Sequence, residues 1–384
     1  MTVPEPISQT DAPEARVYNL TSRWLEIGDL VVSFGLLAVL LATGWTGSLR
    51  DLAVRMAREH YALQLFYYVL FLSVISKAVG GGIDFYRFRL EHRFHLSTER
   101  FSSWLKDECK SWALGLVIAT LLAEIVYGLI RMSPEHWWIY AWLIFVGLFI
   151  FFAQVAPVVL FPLFYTFSPL QDEELKSRLM RLGERAGTRI RGVYEWKLSE
   201  KSRKANAALT GLGNTRRIIL ADTLLQNYTP DEIEAVMAHE LGHHVHGHIL
   251  KGIAVEALIT LAGFFAADQV LDYAIHRRHM FQHLADFANL PLLVLVCSLL
   301  GMALMPAVHA FSRFAERQSD IYCWKSIRNI TPFVTAMEKL NAQNLGERSP
   351  SRLIEILFHS HPAVTRRIAA AQAWAQQNQP GLTP

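Results

Sequence analysis

TPDEIEAVMAHELGHHVHGH, residues 229–248, decides how the rest of the chain is read. It crowds five of the chain's fifteen histidines into ten residues beside Glu240. Thr229 can cap a helix, Pro230 suits the first helical position, and Glu232, three after Thr229, completes a capping box. From there the apolar pattern runs without proline past Ile249 into a membrane-length segment. On such a helix His239 and His243 share one face and can converge on one ion, with Glu240 placed to act on water held there. His239-Glu240-Leu241-Gly242-His243 thus satisfies the pattern HExxH. His244 and His246 read as surface histidines near lipid headgroups.

The chain has 384 residues, 52% hydrophobic and 18% charged, too apolar for an ordinary soluble enzyme of this length. Its net charge of +3 forms no basic stripe interleaved with aromatics, which excludes nucleic acid as a partner. Cys109, Cys297 and Cys323 are odd in number and far apart, so they give no disulfide framework. Residues 1–26 begin polar, acidic and proline-rich and read as a disordered tail.

Apolar runs at 30–49, 61–83, 111–130 and from residue 137 onward can each cross a hydrocarbon core of about 30 Å as a helix. Pro157 and Pro162 bend the end of the fourth. A weaker run at 249–271 and an uncharged one at 287–312 bring the count to six. Lys77, Glu124 and Glu256 lie inside these runs as lining of a polar cavity, buried pairs or snorkelling groups. The loop at 84–110 holds six Lys and Arg, whereas the loop after the third span has only Arg131, so the basic loop is placed in the cytoplasm. The organisation expected is a tail at 1–26, four spans within 27–165, the first part of a protease domain at 166–248, a membrane hairpin at 249–312 and the second part at 313–384.

Ahead of the histidine helix, DEELKSRLMRLGERAG reads as an amphipathic helix, and VYEWKLS, ANAALTGL and TRRIILADTLLQ as strands, the last running into a short helix. Gly211, Gly213 and Asn214 mark a hairpin turn. A catalytic zinc site needs a third protein ligand and an open position for water. Two crossings separate His243 from Glu316, so both emerge on the same membrane face, which makes Glu316 the third ligand. Asp320, one helical turn on, can orient a ligand histidine or hold an arginine.

In chain order, ANAALTGLGNTRRIILADTLL, HELGHHVHGH, AERQSD and HSHPAVTRRI resemble the type I CAAX prenyl protease family of integral-membrane zinc metallopeptidases. LEHRFHLSTERFSSWLKDECKS and FPLFYTFSPLQDEEL are similar to its membrane-region loops, so the resemblance covers most of the chain from about residue 60. It implies a gluzincin fold with one zinc ion on His239, His243 and Glu316, and Glu240 as catalytic base. It also implies that His361 and Arg367 face the substrate or the reaction intermediate, and it matches His248 to a family histidine. Eukaryotic members have seven spans, one more than counted here.

The fold expected is therefore a mainly α, polytopic membrane protein with about six transmembrane helices and a zincin-like α+β catalytic domain at the membrane surface. The chemistry expected is amide hydrolysis, with the hairpin edge at Asn206 and Ala207 holding an extended peptide. His243 lies six residues before the span, about 9 Å of helix, so the site sits at the bilayer surface. Substrates expected are membrane-tethered peptides or the loops and tails of membrane proteins, cut in a bacterial inner membrane or an ER-type membrane; a protease for prenylated CAAX-type C-termini and a quality-control protease for damaged membrane proteins both stay open. A six-span transporter or metal-binding scaffold is the other class, and it leaves unexplained why Glu240 sits between two ligands.

Overall fold

The structure, a computed structural model, describes residues 13–211 and 216–379. Helix α1 (Pro13–Ala42) ends where Gly44 takes a left-handed φ of 72°. The short α2 (Trp45–Ala57) then turns along the far side, where Arg50 pairs with Asp286 at 2.6 Å. Next come α3 (Tyr61–Arg93), α4 (Phe101–Met132) and α5 (Trp137–Val155). Past Val155 the chain widens into a π turn at Ala156–Leu160, as expected from Pro157 and Pro162. With α9 (His248–His276) and α10 (Leu290–Ser326), six helices among the described residues are long and apolar enough to cross a membrane.

Two expectations are corrected in this region. Residues 13–26 are helical, so a disordered tail does not reach residue 26; residues 1–12 lie outside the described residues. Polar composition misled because the anchors are distant in sequence. The Tyr18 hydroxyl donates to Glu91 at 2.6 Å, Asn19 Nδ2 donates to the Leu345 carbonyl at 2.7 Å, and Arg23 pairs with Glu347 at 2.6 Å. The basic segment 84–110 is also mostly helix, since α3 runs to Arg93 and α4 starts at Phe101. These overhanging ends dock on the soluble part through Lys204–Glu91 at 2.9 Å and Lys201–Asp107.

The soluble part is a four-stranded sheet covered by helices. Strands β1 (Phe167–Pro169), β2 (Gly192–Trp196), β3 (Ala207–Thr210) and β4 (Arg217–Ala221) lie in the order β1-β2-β4-β3. The strand pair expected before the histidine helix is β3–β4, antiparallel with Ala207 opposite Leu220, and it leaves β3 at the edge. Its turn begins at Gly211, whose φ is 89°; Gly213 and Asn214 lie outside the described residues.

Helix α6 (Glu173–Arg185) packs on the sheet, and α7 (Asp222–Asn227) leads from β4 into α8 (Pro230–Val245). Beyond α10 follow α11 (Thr331–Gln343), α12 (Arg352–Phe358) and α13 (Val364–Asn378). One apolar core joins Leu179, Ile218 and Leu224 from before the α9–α10 hairpin to Cys323, Phe333 and Ala371 from after it.

The axis of this core is the contact of α8 with α10, made close by Gly242. A Cβ at that position would stand 2.8 Å from Ser319 Cα and 3.1 Å from its carbonyl oxygen, both backbone. Gly242→Ala must therefore push α10 away from α8. The expected cost is about 1–3 kcal/mol, with reduced metal occupancy because Glu316 moves with α10. Thermal unfolding and elemental analysis check it, and a variant as stable and as metal-loaded as wild type would contradict this packing.

Candidate metal centre

Helix α8 starts as its sequence dictates: Thr229 accepts from the Glu232 amide, and Glu232 accepts in return from the Thr229 amide. This rigid start fixes the rotation of the helix, so His239 and His243 face α10. Their Nε2 atoms are 3.3 Å apart, and each lies 3.2 Å from one oxygen of Glu316. One ligand atom from each of the three residues falls within 4.8 Å of the others.

The surrounding hydrogen bonds orient both histidines for a metal. His239 Nδ1 is 2.8 Å from Asp320 Oδ1, which leaves Nε2 facing Glu316. His243 Nδ1 is 3.1 Å from His248 Nδ1, and His248 Nε2 is 2.9 Å from Gln318 Oε1. The amide oxygen of Gln318 only accepts, so His248 donates from Nε2 and accepts at Nδ1. His243 then donates from Nδ1 and turns its Nε2 lone pair to the centre. Glu316 Oε2 is buried without a hydrogen-bond partner among the described residues. A buried carboxylate that turns one oxygen to each of two imidazole nitrogens fits a divalent cation.

Asp320 also accepts from Arg367, whose Nε and Nη2 reach its two oxygens at 2.8 and 2.6 Å. Arg367 is 9% exposed and lies behind the histidines, with Nη2 3.6 Å from Glu316 Oε2. Arg366, 100° further back around α13, is exposed and pairs with Glu355. His361 stands on the open side, its Nε2 3.2 Å from Glu316 Oε1 and its side chain 61% exposed. Asn206 and Ala207 lead into the edge strand β3, and the Asn206 carbonyl accepts from the Ala221 amide.

Three local features escaped the sequence. The apolar pattern does not run on as one helix: α8 ends at Val245, Gly247 adopts a left-handed φ of 65°, and α9 starts afresh at His248. His244 and His246 are half-buried instead of lying open at the surface, and His244 Nε2 lies 3.2 Å from the Leu209 carbonyl, tying α8 to β3. Gln318 lies inside the AERQSD segment, two residues before its close, but nothing in that spacing marks it as a partner of His248.

In the metal-free chain burial lowers the His239 pKa, but the carboxylates of Asp320 and Glu316 beside the ring outweigh it and push it up to about 9. Burial raises the Glu240 carboxyl above its usual range, and burial lowers His244. The His239 proton stabilises the metal-free fold fully below its unfolded value, and that contribution is lost as pH rises through about 9. Metal needs the same lone pair, so near pH 7 its uptake should release a proton, and affinity should rise about tenfold per pH unit until pH 9. Titration calorimetry in buffers of different ionisation enthalpy reads the proton count, and a count of zero would contradict this competition.

A family model for peptidase family M48 matches residues 169–375, and one for the CAAX prenyl protease N-terminal region, five membrane helices, matches residues 2–166. The chain is 33% identical over 363 residues to an uncharacterized metalloprotease of Bacillus subtilis, covering 93% of this chain and 84% of that protein. It is 28% identical over 325 residues to CAAX prenyl protease 1 of Saccharomyces cerevisiae, covering 78% of this chain and 70% of the yeast protein. In fold it is similar to the crystal structure of S. mikatae Ste24p, with a TM-score of 0.85 over 96% of this chain and 91% of that one, at 23% identity.

Proposed function

The chain belongs to peptidase family M48, a multi-pass membrane metalloprotease, and on that premise we propose that it is a zinc endopeptidase for membrane-tethered peptides, prenylated CAAX-type C-termini among them. The observation that carries the reading is the convergence of His239, His243 and Glu316 beside Glu240. Those three residues would hold one Zn2+. Bound there, zinc lowers the pKa of its water toward roughly 7 and polarises the scissile carbonyl.

The chain's own groups complete the chemistry. Glu240 takes a proton from the attacking water and delivers it to the leaving amine. His361, on the open side, donates to the oxyanion as it develops. Arg367 is a positioning residue: it holds Asp320, which holds the His239 ring. His248 does the same for His243. An extended peptide pairs with the free edge of β3 from Asn206 and Ala207 onward, and the bond from His244 to Leu209 keeps that edge against the metal helix.

We take residues 166–248 and 313–384 as two halves of one proteolytic domain around the hairpin 249–312, and the basic ends of α3 and α4 support a cytoplasmic position for that domain through the positive-inside bias. A non-catalytic transporter or scaffold is not favoured by the family membership. The test is cleavage by purified protein of two matched peptides, one farnesylated at its CAAX cysteine and one bare. Cleavage of the lipidated peptide that a chelator abolishes and zinc restores supports the reading. Cleavage that persists in chelator sinks the metal, and equal rates on both peptides sink the lipid preference.

A further inference from the structure

Beside the metal centre, between α10, α12 and α13, lies a cavity of about 590 Å³ that the proteolytic reading does not use. Five arginines line it against Asp320 and Glu355. Arg367 is spent on Asp320 and Arg366 on Glu355. Arg313, Arg317 and Arg352 have no carboxylate partner among the described residues, and Arg313 is only 9% exposed. Its Nη1 donates to two carbonyls, those of Glu355 at 2.9 Å and His359 at 2.8 Å. A buried guanidinium answered by neutral oxygens alone is electrostatically incomplete and favours an anion nearby.

The depth of the cavity says which anion. Arg313 is the first Lys or Arg of α10, 23 residues after Leu290, and about 30 Å of helix carries a chain across the hydrocarbon core. It therefore stands at the membrane boundary, and its two bonds pin α12 to the same level. From there α12 exposes Leu353 at 67%, Ile356 at 43% and Leu357 at 40%. Phe358 at its end lies under Arg23, which α1 also brings to the boundary, with 5.8 Å from the guanidinium to the ring. An apolar helix face laid at the boundary, with a cationic cavity directly above it, matches a molecule with an anionic head and hydrocarbon tails.

We propose that this cavity is an anionic phospholipid site, in which the headgroup phosphate meets Arg313, Arg317 and Arg352 while the acyl chains lie along Leu353, Ile356 and Leu357. The site goes beyond the proteolytic reading and does not depend on it. Its far wall is the Asp320–Arg367 pair, so only Asp320 stands between a bound headgroup and His239.

The test measures lipid, not cleavage. Purified full-length protein in mild detergent is offered phosphatidylglycerol or phosphatidylcholine and weighed by native mass spectrometry. One phosphatidylglycerol should be retained per chain over phosphatidylcholine. The exposed pair Arg317→Ala and Arg352→Ala together should weaken retention by about tenfold or more, and Lys at both positions should restore most of it. Equal retention by wild type and the double alanine variant overturns the site, as does equal retention of the two lipids. Two further outcomes reassign the cavity and so also overturn it. One is inorganic phosphate binding while phosphatidylglycerol is refused. The other is unchanged lipid retention with a raised KM for peptides bearing a free C-terminal carboxylate but not for their amides.

Discussion

Glu240→Gln should keep the metal and lose peptide cleavage by about 10²–10⁴-fold, the span that a positioned proton-transfer group contributes. The substitution preserves shape and removes only the basic oxygen. Other residues hold the ligand set in place: His239 Nδ1 is held by Asp320, His243 by His248, and Glu316 comes from α10. Metal content near wild type with cleavage nearly gone is the outcome that separates a base from a ligand. Metal lost along with activity would place Glu240 in the coordination sphere, and full activity would remove it from the mechanism.

Glu316→Ala should cost metal affinity more than about 100-fold, above what removing a residue that merely supports a ligand costs. It leaves two histidines on consecutive turns of one helix and no negatively charged ligand on the cation. Glu316→Gln should lose nearly as much, because the amide keeps one acceptor and no charge. Elemental analysis after dialysis, beside His239→Ala as reference, gives the comparison. Wild-type metal in Glu316→Ala would move the third ligand elsewhere, and His361, 3.2 Å from the same carboxylate, is next in reach.

The histidine helix was legible because its information is local. Cap, proline and capping box lie within four residues, and the ligand pair within five. Glu316 was legible for a different reason, since counting crossings fixes a membrane face without any contact being known. What stayed hidden depends on pairs with no shared period. Tyr18 finds Glu91, Arg23 finds Glu347, and His244 finds a carbonyl 35 residues away. The break at Gly247 was hidden because hydrophobic periodicity cannot register one left-handed residue between two helical runs. Strand β1 is three residues long and has too few positions to alternate.

The interleaving of the soluble core with the α9–α10 hairpin sets an order on biogenesis. When the ribosome has made His239 and His243, the residues that complete the site are not yet synthesised, and they reach the same face only after both crossings have been made. Contacts across so long a loop form late. A nascent or half-inserted chain has the histidine helix but neither Glu316 nor the Asp320–Arg367 support, so its centre is unassembled. On the proposed reading, correct insertion would be the step that completes the proteolytic site.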